Sequence, residues 1–191
     1  MTNLKIMKEI SLNILDIAKN SVKAGASRIS VIITEDEETL KLEISDDGCG
    51  MSPEMVQNVT DPFCTTRTTR KVGMGIPLLK LAAEQTGGSF SIASSDKPDD
   101  HGTVTSASFY KNHIDYTPLG DVVSTVTTLI QGSPDTDWYF LHRFTGSGKS
   151  VELDTSQLRA VLGEDVPLDS YEVLKWIEDS LKEEYSEANA D

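Results

Sequence analysis

The sequence predicts an α/β two-layer sandwich, in which helices cover one face of a mixed, mainly antiparallel sheet. From Ile6 to about Ala24, apolar residues recur at three- and four-residue steps, which indicates a helix with one buried stripe. Residues 28–34 and 39–45 are rich in β-forming residues, and the acidic turn EDEE between them indicates an antiparallel hairpin. A second helix and a second strand pair follow, and this order of elements is typical of that fold class.

The segment between the two strand pairs contains two further helices. Ser52 is a suitable N-cap for a short helix, with Pro53 at its first position. Residues 61–72 contain few apolar side chains and are predicted to form a mobile loop. The pattern predicts a helix from Ile76 to Gln85 and then strands over 89–94 and 103–110, separated by the turn SDKPDDHG.

The character of the sequence changes after Tyr110. We expect a helix over 119–131, strands over 138–144 and 150–153, and two acidic helices at the end. The chain is therefore divided into a first domain, residues 1–112, and a small α/β C-terminal extension, residues 113–191, whose role the sequence does not indicate. Trp138, Tyr139, Leu174, Trp176 and Leu181 belong either to the core or to a partner surface.

Composition limits the possible functions. Of 191 residues, 38% are hydrophobic and 25% are charged, and no run approaches the roughly 18 to 20 apolar residues that span a bilayer. No membrane association and no secretory signal are expected, so the predicted location is the cytoplasm. Cys49 and Cys64 form no CxxC pair, and we interpret both as reduced thiols.

The chain is strongly acidic. Its 31 acidic and 17 basic residues give a formal net charge of -14, which disfavours nucleic-acid binding. A small anion such as a nucleotide is not excluded, because local amides and a few basic residues outweigh a distant, screened field.

Asp16 and Asn20 are four residues apart on the first predicted helix and therefore share one face. An Asn oxygen is a suitable ligand for Mg²⁺, and a carboxylate one turn earlier can orient or deprotonate a nucleophile. An ordinary solvated helix face has the same spacing, so the pair alone does not identify a site.

Asp46 lies where a buried strand is predicted to end in a glycine-rich turn, in the segment ISDDGCGM, residues 44–51. A carboxylate in this position can accept a hydrogen bond from the exocyclic amine of adenine. Gly48 and Gly50 allow the backbone to approach the base closely. An ordinary surface turn is the alternative interpretation.

A Thr- and Arg-rich loop precedes two glycines at the predicted start of a helix, in the segment DPFCTTRTTRKVGMGIPLLK, residues 61–80. Amides at a helix N-terminus form an anion site. The loop supplies hydroxyls and positive charge that can close over phosphates as a lid. Four of the chain's 17 basic residues lie within 14 positions here: Arg67, Arg70, Lys71 and Lys80.

Taken together and in order, five segments resemble the motifs of the GHKL ATPases, the superfamily of gyrase, heat-shock chaperones, histidine kinases and MutL proteins. ILDIAKNSVKAGA resembles the N-box, ISDDGCGM the first glycine box and DPFCTT the F-box. KVGMGIPLLKLAAEQTGG resembles the second glycine box, and HGTVTSASF the closing Gly-Thr strand. The resemblance covers about 100 residues and implies the Bergerat ATP-binding fold.

The resemblance also implies roles for individual residues. It places Asn20 on Mg²⁺, Asp46 on adenine, Thr103 in support of the adenine site, and residues 61–75 in an ATP lid. The full set of expected ATP-binding residues is Asn20, Asp46, Gly48, Gly50, Met51, Thr65, Thr66, Arg67, Lys71, Gly73, Met74, Gly75 and Thr103.

Asp16 departs from the family pattern. ATPases and serine kinases of the family usually have Glu at this position, and histidine kinases commonly have Asn. Asp keeps the charge but is shorter by one methylene, so general-base action by Asp16 is a hypothesis.

A second glycine-rich segment, GSGKS at residues 146–150, imitates a P-loop. Arg143 stands where the motif needs Gly, and the following residues resemble a strand instead of a helix. The segment is therefore predicted to be a hairpin turn.

Three uses of ATP remain open. The first is a kinase-like catalytic module that acts on an unidentified protein partner; His101, His113 and His142 are expected to be surface or turn residues, not phosphoacceptors. The second is a MutL-like switch ATPase, for which Lys149 is a candidate phosphate contact. The third is a non-catalytic regulatory ATP binder.

Overall fold

The computed structural model describes residues 9–60, 74–163 and 166–190. Six helices form along these residues: α1 (Ile10–Lys23), α2 (Pro53–Val59), α3 (Gly75–Gln85), α4 (Val122–Gly132), α5 (Thr155–Leu162) and α6 (Tyr171–Asn189). Six strands alternate with them: β1 (Arg28–Glu35), β2 (Thr39–Asp46), β3 (Phe90–Lys97), β4 (Asp100–Tyr110), β5 (Asp137–Phe144) and β6 (Lys149–Asp154).

The strands form one mixed sheet in the order β3-β4-β2-β1-β5-β6. Only the pairing of β1 with β5 is parallel; the other four pairings are antiparallel. The predicted fold class is confirmed, because helices cover one face of a mainly antiparallel sheet.

The core lies between the helices and one face of the sheet. Alternate residues of β1, β2 and β4 point to the helices and are buried, as expected from the two-residue period of a strand. Neighbouring strands bring these residues into rows, such as Val31, Ile44 and Thr105. Burying these rows beneath α1, α3 and α4 is the main source of the stability of the fold.

The predicted elements form with small changes in their bounds. The α2 helix begins as expected: the Ser52 hydroxyl accepts a hydrogen bond from the Met55 amide, and Pro53 follows it. The predicted turn SDKPDDHG was too long, because β3 continues to Lys97 and β4 begins at Asp100. Antiparallel pairing of these residues leaves a two-residue turn.

The C-terminal residues extend the same sheet. After β4, the chain crosses the helical layer as α4 and returns as β5 alongside β1. The β5–β6 hairpin has Gly148 at φ 71°, and its amide donates to the Phe144 carbonyl, which confirms that the P-loop-like segment is a turn.

Most of the C-terminal apolar residues considered for a partner surface belong to the core. Trp138, Leu174 and Leu181 are buried, whereas 56% of the surface of Trp176 is exposed. His142 is also buried, with 2% exposure, so its expected surface position is wrong. It lies on β5 in the row of Ile33, which faces the helices.

The opposite face of the sheet is largely polar. A shallow hollow of about 370 Å³ lies there, and its lining includes four serines, Ile32 and the charged residues Lys41 and Glu43. No helix within the described ranges is long and apolar enough to span a bilayer.

Candidate nucleotide-binding site

A row of polar side chains lies at one end of the helix-covered face of the sheet. Asp46 on β2 is opposite Thr103 on β4, and Thr103 is opposite Ser94 on β3. The preceding row on the same face consists of Ile44, Thr105 and Ile92. The change from a largely apolar row to a polar one marks the edge of the core and the floor of a candidate site.

The Asp46 carboxylate is held in a defined orientation. One of its oxygens accepts a hydrogen bond from the Ser21 hydroxyl of α1 at 2.5 Å, and the other accepts one from the Gly48 amide at 3.0 Å. Both contacts leave lone pairs on the carboxylate for a ligand donor. Asp46 therefore has the geometry expected of a residue that recognises an amine.

Two glycines of the first glycine box are required by close backbone approach. A Cβ atom at Gly48 would lie 2.9 Å from the Cβ atom of Ala24. Gly50 has φ 67°, and a Cβ atom there would lie 1.7 Å from the Ser95 carbonyl oxygen. Any larger residue at Gly50 would displace the turn from the edge of the sheet.

The other end of the candidate site lies where α1 meets the start of α3. A Cβ atom at Gly75 would lie 2.8 Å from the Cβ atom of Asp16, so the glycine allows the two helices to touch. The Asn13 amide, which sequence reasoning missed, donates to the Gly75 carbonyl at 3.4 Å. Asp16 is thereby placed beside the N-terminus of α3, an anion-binding feature.

Asn20 lies one helical turn after Asp16 and is half-buried. Its side chain makes no hydrogen bond to another residue of the described ranges 9–60, 74–163 and 166–190. Its amide oxygen is consequently available as a neutral ligand of the kind that Mg²⁺ accepts.

The structure brings together a subset of the predicted site residues. Asp46, Gly48, Gly50, Met51 and Thr103 are joined at the polar row, while Asp16, Asn20 and Gly75 lie along α1 and α3. The Met74 side chain is 53% exposed at the start of α3. The remaining expected residues lie outside the described residues: Thr65, Thr66, Arg67, Lys71 and Gly73.

Besides Asn13, three residues of the site were not predicted from the sequence. Ser21 holds Asp46, Ser94 contacts Thr103 at 2.8 Å, and the Nδ1 atom of His101 lies 2.9 Å from the Gly48 carbonyl oxygen. Because a carbonyl only accepts, the His101 ring donates this bond. Ser21 could have been considered from the sequence because it follows Asn20 directly. Ser94 could be found only from the strand register, which places it opposite Thr103.

Lys149, the candidate phosphate contact, lies at the other end of the sheet. Its ammonium group donates to the carbonyls of Glu187 and Ala190 at the end of α6. Lys149 is paired with Phe144, which is paired with Glu35, whereas Asp46 is paired with Ile29. Glu35 is six positions along β1 from Ile29, a separation of about 20 Å, so Lys149 does not reach the site.

Hydrogen bonds also hold the loop next to Asp46. The Asp47 carboxylate accepts bonds from the Ser27 amide at 2.8 Å and the Arg28 amide at 2.9 Å. Partial burial acts to raise the pKa of Asp47, but these bonds outweigh it and hold the pKa below its usual value. The α1–β1 loop is thus fastened to the first glycine box.

Comparison with known proteins assigns the family. The family described as histidine kinase-, DNA gyrase B-, and HSP90-like ATPase matches residues 5–132. The chain belongs to this family. The match includes every motif of the candidate site, and membership in this ATPase family implies ATP binding.

Two curated relatives of the GHKL family illustrate its breadth. The chain is 38% identical over 52 residues to the DNA mismatch repair protein MutL of Paramagnetospirillum magneticum, covering 27% of this chain and 8% of MutL. It is 32% identical over 93 residues to the sensor protein SrrB of Staphylococcus aureus, covering 46% of this chain and 16% of SrrB. The matched region is therefore a small part of each relative.

Two solved structures share the fold of this chain. The N-terminal domain of a DNA repair protein aligns with a TM-score of 0.57 and 15% identity, covering 84% of this chain and 58% of that one. The Aquifex aeolicus MutL ATPase domain, complexed with ADP, aligns with a TM-score of 0.53 and 12% identity, covering 82% and 70%. At these identities, the likeness shows the fold alone.

Proposed function

We propose that the protein binds Mg-ATP and acts as a kinase-like catalytic module, which transfers a phosphoryl group to a protein partner in signalling. The observation that carries this proposal is the position of Asp16. Its carboxylate lies against Gly75 at the start of α3, while Asn20 lies one turn further along the same helix face. The residue proposed as a base, the proposed metal ligand and the helix start proposed to bind phosphate are thus side by side.

The adenine base would bind at the polar row. Asp46 would accept a hydrogen bond from the exocyclic amine, in an orientation set by Ser21 and Gly48. The glycine turn would lie against the base because Gly48 and Gly50 carry no side chain. These residues bind and orient the nucleotide and take no part in the chemical step.

The triphosphate would extend from the polar row towards Asp16. Amides at the start of α3 favour negative charge, and Asn20 would hold Mg²⁺, which when bound neutralises charge on the phosphates. The lid residues Thr65, Thr66, Arg67 and Lys71 would add further charge and hydroxyl groups.

Asp16 would act as a general base. Its carboxylate would accept the proton of the attacking hydroxyl group or water molecule as that oxygen bonds to the γ-phosphorus. The bond between the γ-phosphorus and the bridging oxygen would break in the same step, and ADP would leave. Because the side chain of Asp is shorter by one methylene than the Glu that is usual in the ATPases of the family, we expect slow hydrolysis for the protein alone.

The first test separates nucleotide binding from turnover. Thermal unfolding is measured with and without Mg-ATP, and phosphate release is measured in the same samples. A ligand at 100 times its dissociation constant should stabilise the protein by about 2.7 kcal/mol. Asn20→Ala and Asp46→Asn should lose this stabilisation, whereas Asp16→Asn should keep it and lose turnover.

The outcomes of this test distinguish the parts of the proposal. No stabilisation of the wild-type protein would contradict ATP binding at this site. Undiminished phosphate release by Asp16→Asn would contradict the role of Asp16 as a base. The control is Ser91→Ala, a substitution on the opposite face of the sheet.

A nucleotide-gated switch ATPase is the second candidate, and the α1–β1 loop favours it. The Ala24 carbonyl accepts a bond from the Cys49 amide of the glycine box, and the Ser27 carbonyl accepts one from the Asp137 amide of β5. Closure of the nucleotide site around ATP would therefore be transmitted through this loop to β5 of the C-terminal extension. A regulatory ATP binder without turnover would use the same contacts.

Two measurements decide between these uses. Transfer of labelled γ-phosphate from ATP to a protein in a cell extract, lost in Asp16→Asn, would support the kinase. Hydrogen exchange of β5 and β6 that slows with a non-hydrolysable ATP analogue, without any transfer, would favour the switch.

We place the protein in the cytoplasm, where ATP is available and where the free thiol of Cys49 stays reduced.

A further inference from the structure

The Ser94 hydroxyl makes three hydrogen bonds at the end of the polar row. It lies 2.8 Å from the Met51 amide, 2.9 Å from the Gly102 carbonyl and 2.8 Å from the Thr103 hydroxyl. It therefore ties the first glycine box to the start of β4.

The directions of these three bonds follow from counting protons. A serine hydroxyl has one proton and two lone pairs. The Gly102 carbonyl can only accept, so the proton of Ser94 points to it. The Met51 amide can only donate, so it occupies one lone pair of Ser94. The remaining lone pair must accept the proton of the Thr103 hydroxyl.

The consequence concerns what Thr103 offers to a ligand. Since its proton is held by Ser94, its oxygen presents only lone pairs to the candidate site. Asp46, its neighbour across the strand pair, also presents only lone pairs when ionised. Side chains opposite each other on antiparallel strands are about 4.5 to 5.5 Å apart, so one functional group of a base meets both.

We propose that Ser94 is a positioning residue that makes the site select a 6-amino purine over a 6-oxo purine. It does so by holding the proton of Thr103 away from the base. A 6-amino group donates to the acceptors of Asp46 and Thr103, whereas a 6-oxo group places a third acceptor against them. This inference rests on the proposed ATP site and adds the source of its base selectivity.

The test compares ATP with inosine triphosphate, which carries oxygen in place of the 6-amino group. Dissociation constants of both nucleotides are measured by calorimetry with the full chain. The wild-type protein should bind ATP more tightly. Ser94→Ala frees the proton of Thr103 to rotate towards a 6-oxo group, so the preference for ATP should fall by about tenfold.

Matched variants separate positioning from a general structural effect. Ser91→Ala removes a hydroxyl from the opposite face of β3 and should leave the preference unchanged. Ser94→Thr keeps the hydroxyl and should retain the preference. In a Thr103→Val background, Ser94→Ala should cause no further change, because the proton that Ser94 holds is absent.

Several results would overturn the inference. Equal weakening of both nucleotides by Ser94→Ala would show that Ser94 only supports the fold. If Ser94→Ala does not fold, Thr103→Val is measured instead. An unchanged preference for ATP in Thr103→Val would contradict the role of Thr103 and therefore that of Ser94. Failure of the wild-type protein to bind either nucleotide would overturn the proposed function together with this inference.

Discussion

The Nε2 atom of His142 on β5 lies 3.2 Å from a carboxylate oxygen of Glu35 on β1, at the opposite end of the sheet from Asp46. The other ring nitrogen lies 2.9 Å from the Tyr185 hydroxyl of α6. Lys111 donates to the second oxygen of Glu35 at 2.9 Å. This polar cluster fastens the C-terminal strand and helix to the ATPase fold.

The cluster predicts a pH-dependent stability. The hydrogen bond from His142, together with the hydrogen bond and charge of Lys111, lowers the pKa of Glu35 from its usual 4.5 despite partial burial. A carboxyl group with a lowered folded-state pKa adds stability above its unfolded pKa, and this stability is lost as the pH falls through the folded value. We expect Glu35→Gln to cost about 1 kcal/mol at neutral pH. In denaturant unfolding from pH 7 to pH 3, the difference from wild type should shrink below about pH 4.5.

Tyr185 provides a second test of the same cluster. Burial, followed by the nearby charge of Glu35, raises the pKa of Tyr185, so it stays a neutral donor or acceptor at physiological pH. Tyr185→Phe leaves the buried His142 nitrogen without its partner and should cost about 1 to 3 kcal/mol. Urea unfolding measures this loss. Affinity for ATP should be unchanged, and a large change in affinity would contradict the placement of the cluster away from the site.

Gly50 allows a test of the glycine turn. Alanine at this position would adopt a disfavoured positive φ, and its Cβ atom would overlap the Ser95 carbonyl oxygen. We expect Gly50→Ala to weaken ATP binding by at least about tenfold, a change of about 1.4 kcal/mol. Gly146→Ala is the control, since a Cβ atom there meets nothing within 4 Å. Equal affinities of the two variants would show that the turn is not part of the site.

Asp47 tests the support of the α1–β1 loop. Asp47→Ala removes the acceptor of the Ser27 and Arg28 amides, which should lower stability by about 1 kcal/mol and weaken ATP binding indirectly. Asp47→Asn keeps one acceptor oxygen, so its stability and its affinity for ATP should lie between those of the wild type and Asp47→Ala. Thermal unfolding and nucleotide titration measure both effects. A variant with wild-type stability and affinity would show that the loop needs no such support.

The sequence alone predicted those features that depend on local pattern. The periodicity of α1 and the alternation in β2 are set by which residues must be buried, and both elements formed as expected. The fold class and the family could be recognised because the motifs around Asn20, Asp46 and Gly75 are contiguous segments in a defined order. The GSGKS turn was also predictable, because its neighbours are strands.

Only the tertiary structure decided the relations between distant segments. The parallel pairing of β1 with β5 joins residues more than a hundred positions apart, and no local pattern encodes it. His142 was misjudged for this reason: its polarity suggests the surface, but Glu35 and Tyr185 satisfy both ring nitrogens in the interior. Ser94 was missed in the same way, because the direction of a hydroxyl proton depends on partners that the strand register supplies.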